Sequence, residues 1–394
     1  MITKFKKNEM LFYLSYIMLY VSLFMGDIYN FEGLDVFSRS IRIFSYVLIL
    51  FSCMELKLPK KDLILLIIIL IITTLYGIKT GDLYWCIIIL LIYNSKKADI
   101  KKIYKISFKI MMIGTVGVLL SCILGILPDI LTSRNTVDQI SFDRHSFGFY
   151  HSNVLPLLIF YLEAYYICIT KEKARNDVIF IFMIIACIAN FFCHSRNALT
   201  LSIFLSLSIY FVKRKSGFKN LYRMTIFSIP FMSFFSVAMM FLLPTGGVWN
   251  VIDTFFTGRF RLAIFKMRRI GLHFINIMSN ESYINDNIVY IDGKRLDTIV
   301  IDNGYLYLIL RYGILILLFY FLVAYLLAQR NKKSACTLVV LIAVFAANFV
   351  DNDLVDYSFL PFILWAFNDF RINDFMGKMK TKVIKIRRGR QIKL

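Results

Sequence analysis

The sequence predicts an all-α, polytopic membrane protein of about twelve transmembrane helices with one large extracytoplasmic loop. Three observations predict it. Of 394 residues, 59% are hydrophobic and the mean hydropathy is +0.68, more apolar surface than a soluble fold of this length could hide from water. The apolar residues fall in runs of bilayer-spanning length. Lys and Arg fall in short bursts between those runs, which is how orientation is written into membrane proteins.

A membrane-crossing helix needs roughly 20 mostly apolar residues. Runs of this kind lie near 10–26, 37–54, 62–78, 82–94, 107–127, 148–170, 177–193, 198–213, 224–243, 305–328, 334–350 and 357–370. The fourth is short, so the third and fourth are expected to form a tight hairpin about Lys79-Thr80-Gly81; ten or eleven crossings result if one short run is re-entrant. Lys4, Lys6 and Lys7 precede the first run, which ends at Met25-Gly26-Asp27 without a small-residue cleavage site. It is expected to be an uncleaved first span. The whole chain, 1–394, is then a single integral membrane domain.

Orientation follows from the basic residues. With the N-terminus inside, the segments that become cytoplasmic hold 31 of the 46 Lys and Arg residues. They include the basic tail 371–394, expected to lie against anionic lipid. The outer connections are poorer in basic residues than these and often acidic, as in Asp351-Asn352-Asp353-Leu354-Val355-Asp356. Both termini are therefore expected in the cytoplasm. The net charge of +21 does not imply a nucleic-acid partner, because the charges are dispersed rather than gathered on one folded face. The seven cysteines lie in or beside apolar runs with no CxxC pair, and read as small buried residues rather than disulfides or zinc ligands.

Two outer segments exceed a connector: 128–147 and 244–304, the second far beyond ordinary loop length. Val248 to Met278 mixes aromatic and aliphatic residues with Arg259, Arg261, Lys266, Arg268 and Arg269, as amphipathic helices on a membrane surface do. The stretch 287–296 places Asp292-Gly293 between extended runs and predicts a β-hairpin.

No P-loop, no glycine-rich dinucleotide turn, no HExxH and no GxSxG is present. Polar chemistry collects instead at the outer helix ends. Arg134, Arg144, His145, His151 and Asn153 lie in and after the first outer segment; His194-Ser195-Arg196-Asn197 forms the turn between the seventh and eighth spans. Arg259 lies in the large loop, Asp302-Asn303-Gly304-Tyr305 opens the tenth span, and Arg311 follows about two turns later. Ionisable groups at membrane depth are costly, and converging arginines suit a doubly charged, bidentate acceptor such as a pyrophosphate. Each also has a plainer reading. A single interfacial Arg can be a snorkelling anchor, as Arg39, Arg42 and Arg261 would be. Asp302 and Asn303 can cap a helix. The four His residues lack a paired spacing, so no metal site is expected.

Arg144-x-x-Phe147-Gly148-Phe149-x-His151-x-Asn153 resembles the R-x-x-x-GF-x-HPN stretch of Wzy-type polysaccharide repeat-unit polymerases of Gram-positive bacteria. Ser195-Arg196 resembles their S-R-[TN] signature, and Gly258-Arg259, Asp302-Asn303-x-Tyr305-Leu306 and Tyr312-Gly313 resemble the closing pattern found across the O-antigen polymerase and ligase superfamily. Ser152 stands where Pro is usual, and Asp302 where many ligases carry His.

The resemblance implies a membrane glycosyltransferase that polymerises undecaprenyl-pyrophosphate-linked oligosaccharide repeat units into capsular polysaccharide or exopolysaccharide, without metal or cofactor, at the outer leaflet. Arg144, Arg196 and Arg259 would hold the pyrophosphate leaving group. Asp302 would act as general base, with His151, Asn153, His194, Asn303, Tyr305, Arg134 and Arg311 contacting substrate. A flippase and a chain-length regulator would be its partners besides the bilayer. A glycan ligase, or a flippase or transporter, is the alternative. A carrier would carry ionisable or helix-breaking residues near mid-membrane, whereas the span centres read as nearly uniform Ile, Leu and Phe.

Overall fold

The computed structural model describes residues 7–29, 33–54, 60–96, 98–135, 141–214, 218–256, 258–285, 289–291, 294–296 and 301–368. The basic tail 371–394 and the Asp292-Gly293 turn lie outside the described residues. The helices are α1 (Lys7–Phe24), α2 (Leu34–Met54), α3 (Lys60–Thr80), α4 (Tyr84–Ser95), α5 (Ile100–Ile123), α6 (Val154–Thr170), α7 (Asn176–Cys193) and α8 (Arg196–Val212). They continue with α9 (Phe218–Leu242), α10 (Val248–Phe255), α11 (Arg259–Ile270), α12 (Asn280–Asn285), α13 (Gly304–Tyr312), α14 (Ile314–Asn331), α15 (Ala335–Val350) and α16 (Leu360–Phe367). Among the described residues there are also two small antiparallel pairs: β1 (Leu131–Asn135) with β2 (Ser141–His145), and β3 (Val289–Ile291) with β4 (Lys294–Leu296).

The architecture is all-α, and among the described residues eight helices are long and apolar enough to cross a membrane: α1, α2, α3, α5, α6, α7, α9 and α14. The apolar helices α4, α8 and α15 are shorter. At ~1.5 Å per residue, the twelve residues of α4 fall well short of a bilayer core. Burial sorts the helices. Helix α6 is enclosed by α5, α7, α8 and α15, while α3 leaves Ile64, Ile67, Ile68, Ile71 and Ile72 exposed, an apolar face suited to lipid.

Several boundaries differ from the sequence reading, each for a local reason. The run 305–328 is two helices, because Gly313 adopts φ +97° and breaks the rod. A Cβ there would lie 2.6 Å from the Phe274 carbonyl oxygen and 2.9 Å from the Asn276 amide nitrogen. Only glycine fits that backbone conformation and that approach. The fifth helix begins at Ile100 rather than 107, because Asp99 caps it by accepting from Lys101 N at 2.9 Å. The sixth begins at Val154 rather than 148, since Phe147 and Gly148 both have positive φ. In the last run, 357–370, the described residues hold the eight-residue α16.

Buried tyrosines brace one end of the bundle. Tyr20 hydroxyl meets that of Tyr165 at 3.1 Å, Tyr165 donates to the Ser358 carbonyl at 2.6 Å, and Tyr161 donates to Asp353 at 3.2 Å. Tyr357 donates to Asp27 at 2.5 Å. The end of α1 joins the 147–150 segment through Tyr29 N to Gly148 O (2.9 Å) and Tyr150 N to Asp27 O (3.0 Å). These ties bring the ends of α1 and α15 and the start of α6 to one place.

The span centres are less uniform than expected: Pro230 lies inside α9, and α6 carries an ionisable residue. Glu163 lies midway along α6, fully buried, and accepts from Ser206 of α8 at 2.6 Å. Its second oxygen has no hydrogen-bond partner. A neutral amide of the same shape would keep the Ser206 bond, whereas truncation leaves a cavity and an orphaned hydroxyl. Glu163→Gln is therefore expected to melt within a few degrees of the wild type in detergent. Glu163→Ala should be destabilised by roughly 2–4 kcal/mol, read from thermal unfolding of the purified protein.

Candidate functional site

The segment between α5 and α6 is built around Asp129. Its carboxylate accepts from Ser146 N (2.9 Å), Phe147 N (2.8 Å) and His145 Nδ1 (2.5 Å). Burial alone would raise this carboxyl, but hydrogen bonds from His145, Phe147 and Ser146 hold it below its usual range. The β1–β2 hairpin and this tight turn present Arg144 inward, only 8% exposed. Its Nε donates to the Cys193 carbonyl at 2.9 Å and its Nη2 to Asn153 Oδ1. The loop is thereby fixed to the last turn of α7 and the first turn of α6.

At the end of α7, His194 takes a left-handed conformation (φ +49°). This ends the helix and turns the chain so that α8 starts two residues later with Arg196. Arg259 opens α11 and is 7% exposed. It donates through Nη1 to the Asp302 carbonyl at 2.9 Å, with Nη2 3.8 Å from the Asp302 carboxylate. Arg144, Arg196 and Arg259 line one cavity of about 470 Å³, together with His194, Ser195 and Asn197. The three arginines come from three different connections, yet they share this space. Arg196 is solvent-exposed there.

A second cavity of about 450 Å³ also borders Asn153. Asp27, His151, Asp302, Asp351, Asp353 and Asp356 line it, with Tyr150, Tyr161 and Tyr357 among its walls. The site thus has a basic chamber and an acidic one meeting at one asparagine. Burial raises Asp351 to about 7; Arg259 opposes this and Asp302 adds to it. Burial raises Asp356 to about 6 and drives Asp353 well above the usual carboxylate range, with Asp351 and Asp356 adding to the latter. Burial and the nearby Arg144 lower His151, against a smaller opposing pull from Asp302.

Other residues singled out in the sequence do not meet here. Asn303 is fully buried and caps α13, accepting from Leu306 N at 3.0 Å and donating to Phe349 O at 2.9 Å. Its amide also donates to Ser236 Oγ at 3.1 Å, so these bonds spend it on capping and on holding neighbouring helices. Tyr305 is fully buried, its hydroxyl donating to the Phe345 carbonyl at 2.7 Å. It packs helices and reaches neither chamber. Arg311, 2% exposed, donates to the Met278 carbonyl at 3.2 Å and lies over the Tyr283 ring. It too is outside both chambers. Arg134 lies on β1, paired in register with Phe142; its side chain lies outside the described residues. Of the anchors, Arg39 sits 3.8 Å from Asp35 with both side chains exposed, and Arg261 lies 3.6 Å from Asp253.

The acidic chamber is what sequence reasoning missed. The signal was present as three Asp residues in the six-residue stretch 351–356, read there only as an outer connection. Their meeting with Asp27 is a long-range contact that no local pattern announces. No family model, no curated protein and no solved structure matches the chain.

A carboxyl whose folded value is raised binds protons more tightly in the folded state, so its contribution to stability is full below the unfolded value near ~4. That contribution is lost as pH rises through the folded value. For Asp356 the loss runs up to and through about 6. Asp356→Asn should keep an acceptor for Tyr357 N and lack this loss. Its melting temperature should exceed the wild type by a few degrees at pH 8 and match it near pH 4, by thermal unfolding in detergent across that range.

Proposed function

We propose that the chain is a polysaccharide polymerase that transfers a growing glycan from undecaprenyl pyrophosphate to a lipid-linked oligosaccharide acceptor. The single observation that carries this reading is the gathering of Arg144, Arg196 and Arg259 about one cavity at a helix-bundle end. In this reading about twelve segments cross the bilayer, both termini are cytoplasmic, and the two chambers open to the outer face. The outer connections, which together hold fewer Lys and Arg than the inner ones, then lie where the site is.

The chemistry follows from the charge layout. The bond between the anomeric carbon and the phosphate oxygen breaks with its electron pair going to the diphosphate. That charge develops in the basic chamber, where fixed guanidinium groups lower its energy without reorganising. Arg196, exposed to the chamber, offers a planar fork that matches two phosphate oxygens. Arg259 couples the chambers, since it lines the first and holds Asp302 of the second.

The acceptor hydroxyl attacks the anomeric carbon and gives up its proton as the new glycosidic bond forms. Asp302 and Asp351, which both line the acidic chamber, are the groups that receive it. Raised to about 7, Asp351 has the proton affinity a base needs near neutral pH. The sequence reading named Asp302 alone; Asp351 adds a partner whose ionisation is tied to it.

The test is glycan length in cells carrying single substitutions, with the membrane level of each variant measured alongside. Arg196→Lys keeps the charge and loses the fork, and should cut polymer formation by roughly 10²–10³-fold while the protein remains in the membrane. Asp351→Asn should abolish the rise in rate that the wild type shows as pH passes through about 7, because the base must be deprotonated to act. Long glycan of normal amount in Arg196→Lys cells contradicts the proposal.

A further inference from the structure

Helix α15 is almost wholly enclosed, and the one face it leaves open leads into the basic chamber. Its side chains from Ala335 to Phe345 are buried except Ile342, and beyond them Ala346, Phe349 and Val350 are part-open. These four recur at the spacing of a single helix face. Phe349 is taken up by the rings of Phe235, Phe256 and Phe260. The remaining stripe, Ile342-Ala346-Val350, is about 12 Å long, and Ala346 and Val350 line the basic chamber.

The neighbours of α15 explain why this face is open. Helices α8 and α9 both pack on α15, and α6 and α14 close its other sides. Among the described residues α8 and α9 form no extended contact with each other. A groove therefore runs between α8 and α9 with α15 as its floor. Its α8 wall descends from Leu201, which lines the chamber, to the exposed Phe204 one turn on. Phe255 of α10, also exposed, adds an apolar edge to the chamber itself.

Apolarity alone would select nothing here, since hydrocarbon gains little by leaving other hydrocarbon for a helix face. Selection comes from what the groove is joined to. At its mouth three arginines line a cavity of about 470 Å³. The occupant that fits both parts has a compact head of more than one negative charge and a long apolar tail. Ala346 is small, so a tail can come close to the α15 backbone at the point where head and tail meet. A groove floored by one helix suits one chain, which disfavours a two-chain phospholipid whose phosphodiester carries a single charge.

We infer that this groove holds the single polyprenyl chain of a lipid diphosphate, laid along α15 between α8 and α9, with its diphosphate among Arg144, Arg196 and Arg259. The inference rests on the polymerase reading for the identity of the head group. It adds the path of the tail: the donor lipid reaches the basic chamber sideways from the bilayer, between α8 and α9.

The test is photolabelling of the full-length protein in lipid nanodiscs. The probe is farnesyl diphosphate with a benzophenone at the far end of its chain, and the labelled peptides are mapped by mass spectrometry. Label should concentrate on α8 and α15, and unlabelled farnesyl diphosphate should suppress it while farnesol and phosphatidylglycerol do not. Replacing Arg196 and Arg259 together by Gln should cut the label about tenfold or more, because the head then has no anchor. Ile342→Trp, which fills the groove below the chamber, should cut it severalfold in protein that melts normally; the map of labelled residues in the wild type needs no variant to fold. Label mainly on other helices, suppression by farnesol or phosphatidylglycerol, or label undiminished in the double variant or in folded Ile342→Trp overturns the inference. Label on other helices together with loss of polymer in Arg196→Lys cells would sink the groove and leave the polymerase standing. Label on α8 and α15 with long glycan in those cells would do the opposite.

Discussion

The guanidinium of Arg144 is the fixture on which the site depends. It reaches from the β2 strand to Asn153 at the start of α6 and to the Cys193 carbonyl at the end of α7, tying three elements together. Because it is 8% exposed, its bonds are made with little competition from water, and charge-assisted bonds of this kind are the stronger ones. Asn153 is held by that contact and borders both chambers. Loss of the tie would release the wall between the positive and negative spaces. Arg144 is thus a positioning group as much as a ligand, which makes Arg196 the cleaner reporter of substrate chemistry.

Charge at a membrane helix end is tolerable only where water or partners reach it. At the site the bundle meets this constraint by bracing the carboxyls of the acidic chamber with tyrosine hydroxyls. Tyr20, Tyr161, Tyr165 and Tyr357 bury their rings in the core and spend their hydroxyls on the site's scaffold. Aromatic rings with one polar tip suit this boundary. Glu163 is the exception, a carboxyl deep in α6 with Ser206 as its partner.

Much of this was legible in the sequence, for physical reasons. Apolar runs gave the helices because lipid demands long unbroken stretches. The arginines of the site were visible because each breaks the expected composition at a helix end. The broken tenth run was not legible, since Tyr312-Gly313-Ile314 reads as continuous apolar sequence and only the approach of the Phe274 carbonyl makes Gly313 a hinge. Asn303 and Tyr305 looked like ligands because a motif does not say which of its members face inward; the cap bond to Leu306 N decides it. The acidic chamber needed Asp27 and Asp356 in one place, separated by most of the chain. The shared cavity of three arginines from separate loops was an expectation of the sequence reading, and the structure places them there.

The central claim is that this cavity holds a diphosphate, and direct binding tests it with least intermediary. Calorimetric titration of inorganic pyrophosphate into the purified full-length protein should show one saturable site. Its affinity should weaken as salt rises, and it should be lost when Arg196 and Arg259 are both replaced by Gln. Binding of the same strength in that double variant, with its fold intact by melting, would contradict the account.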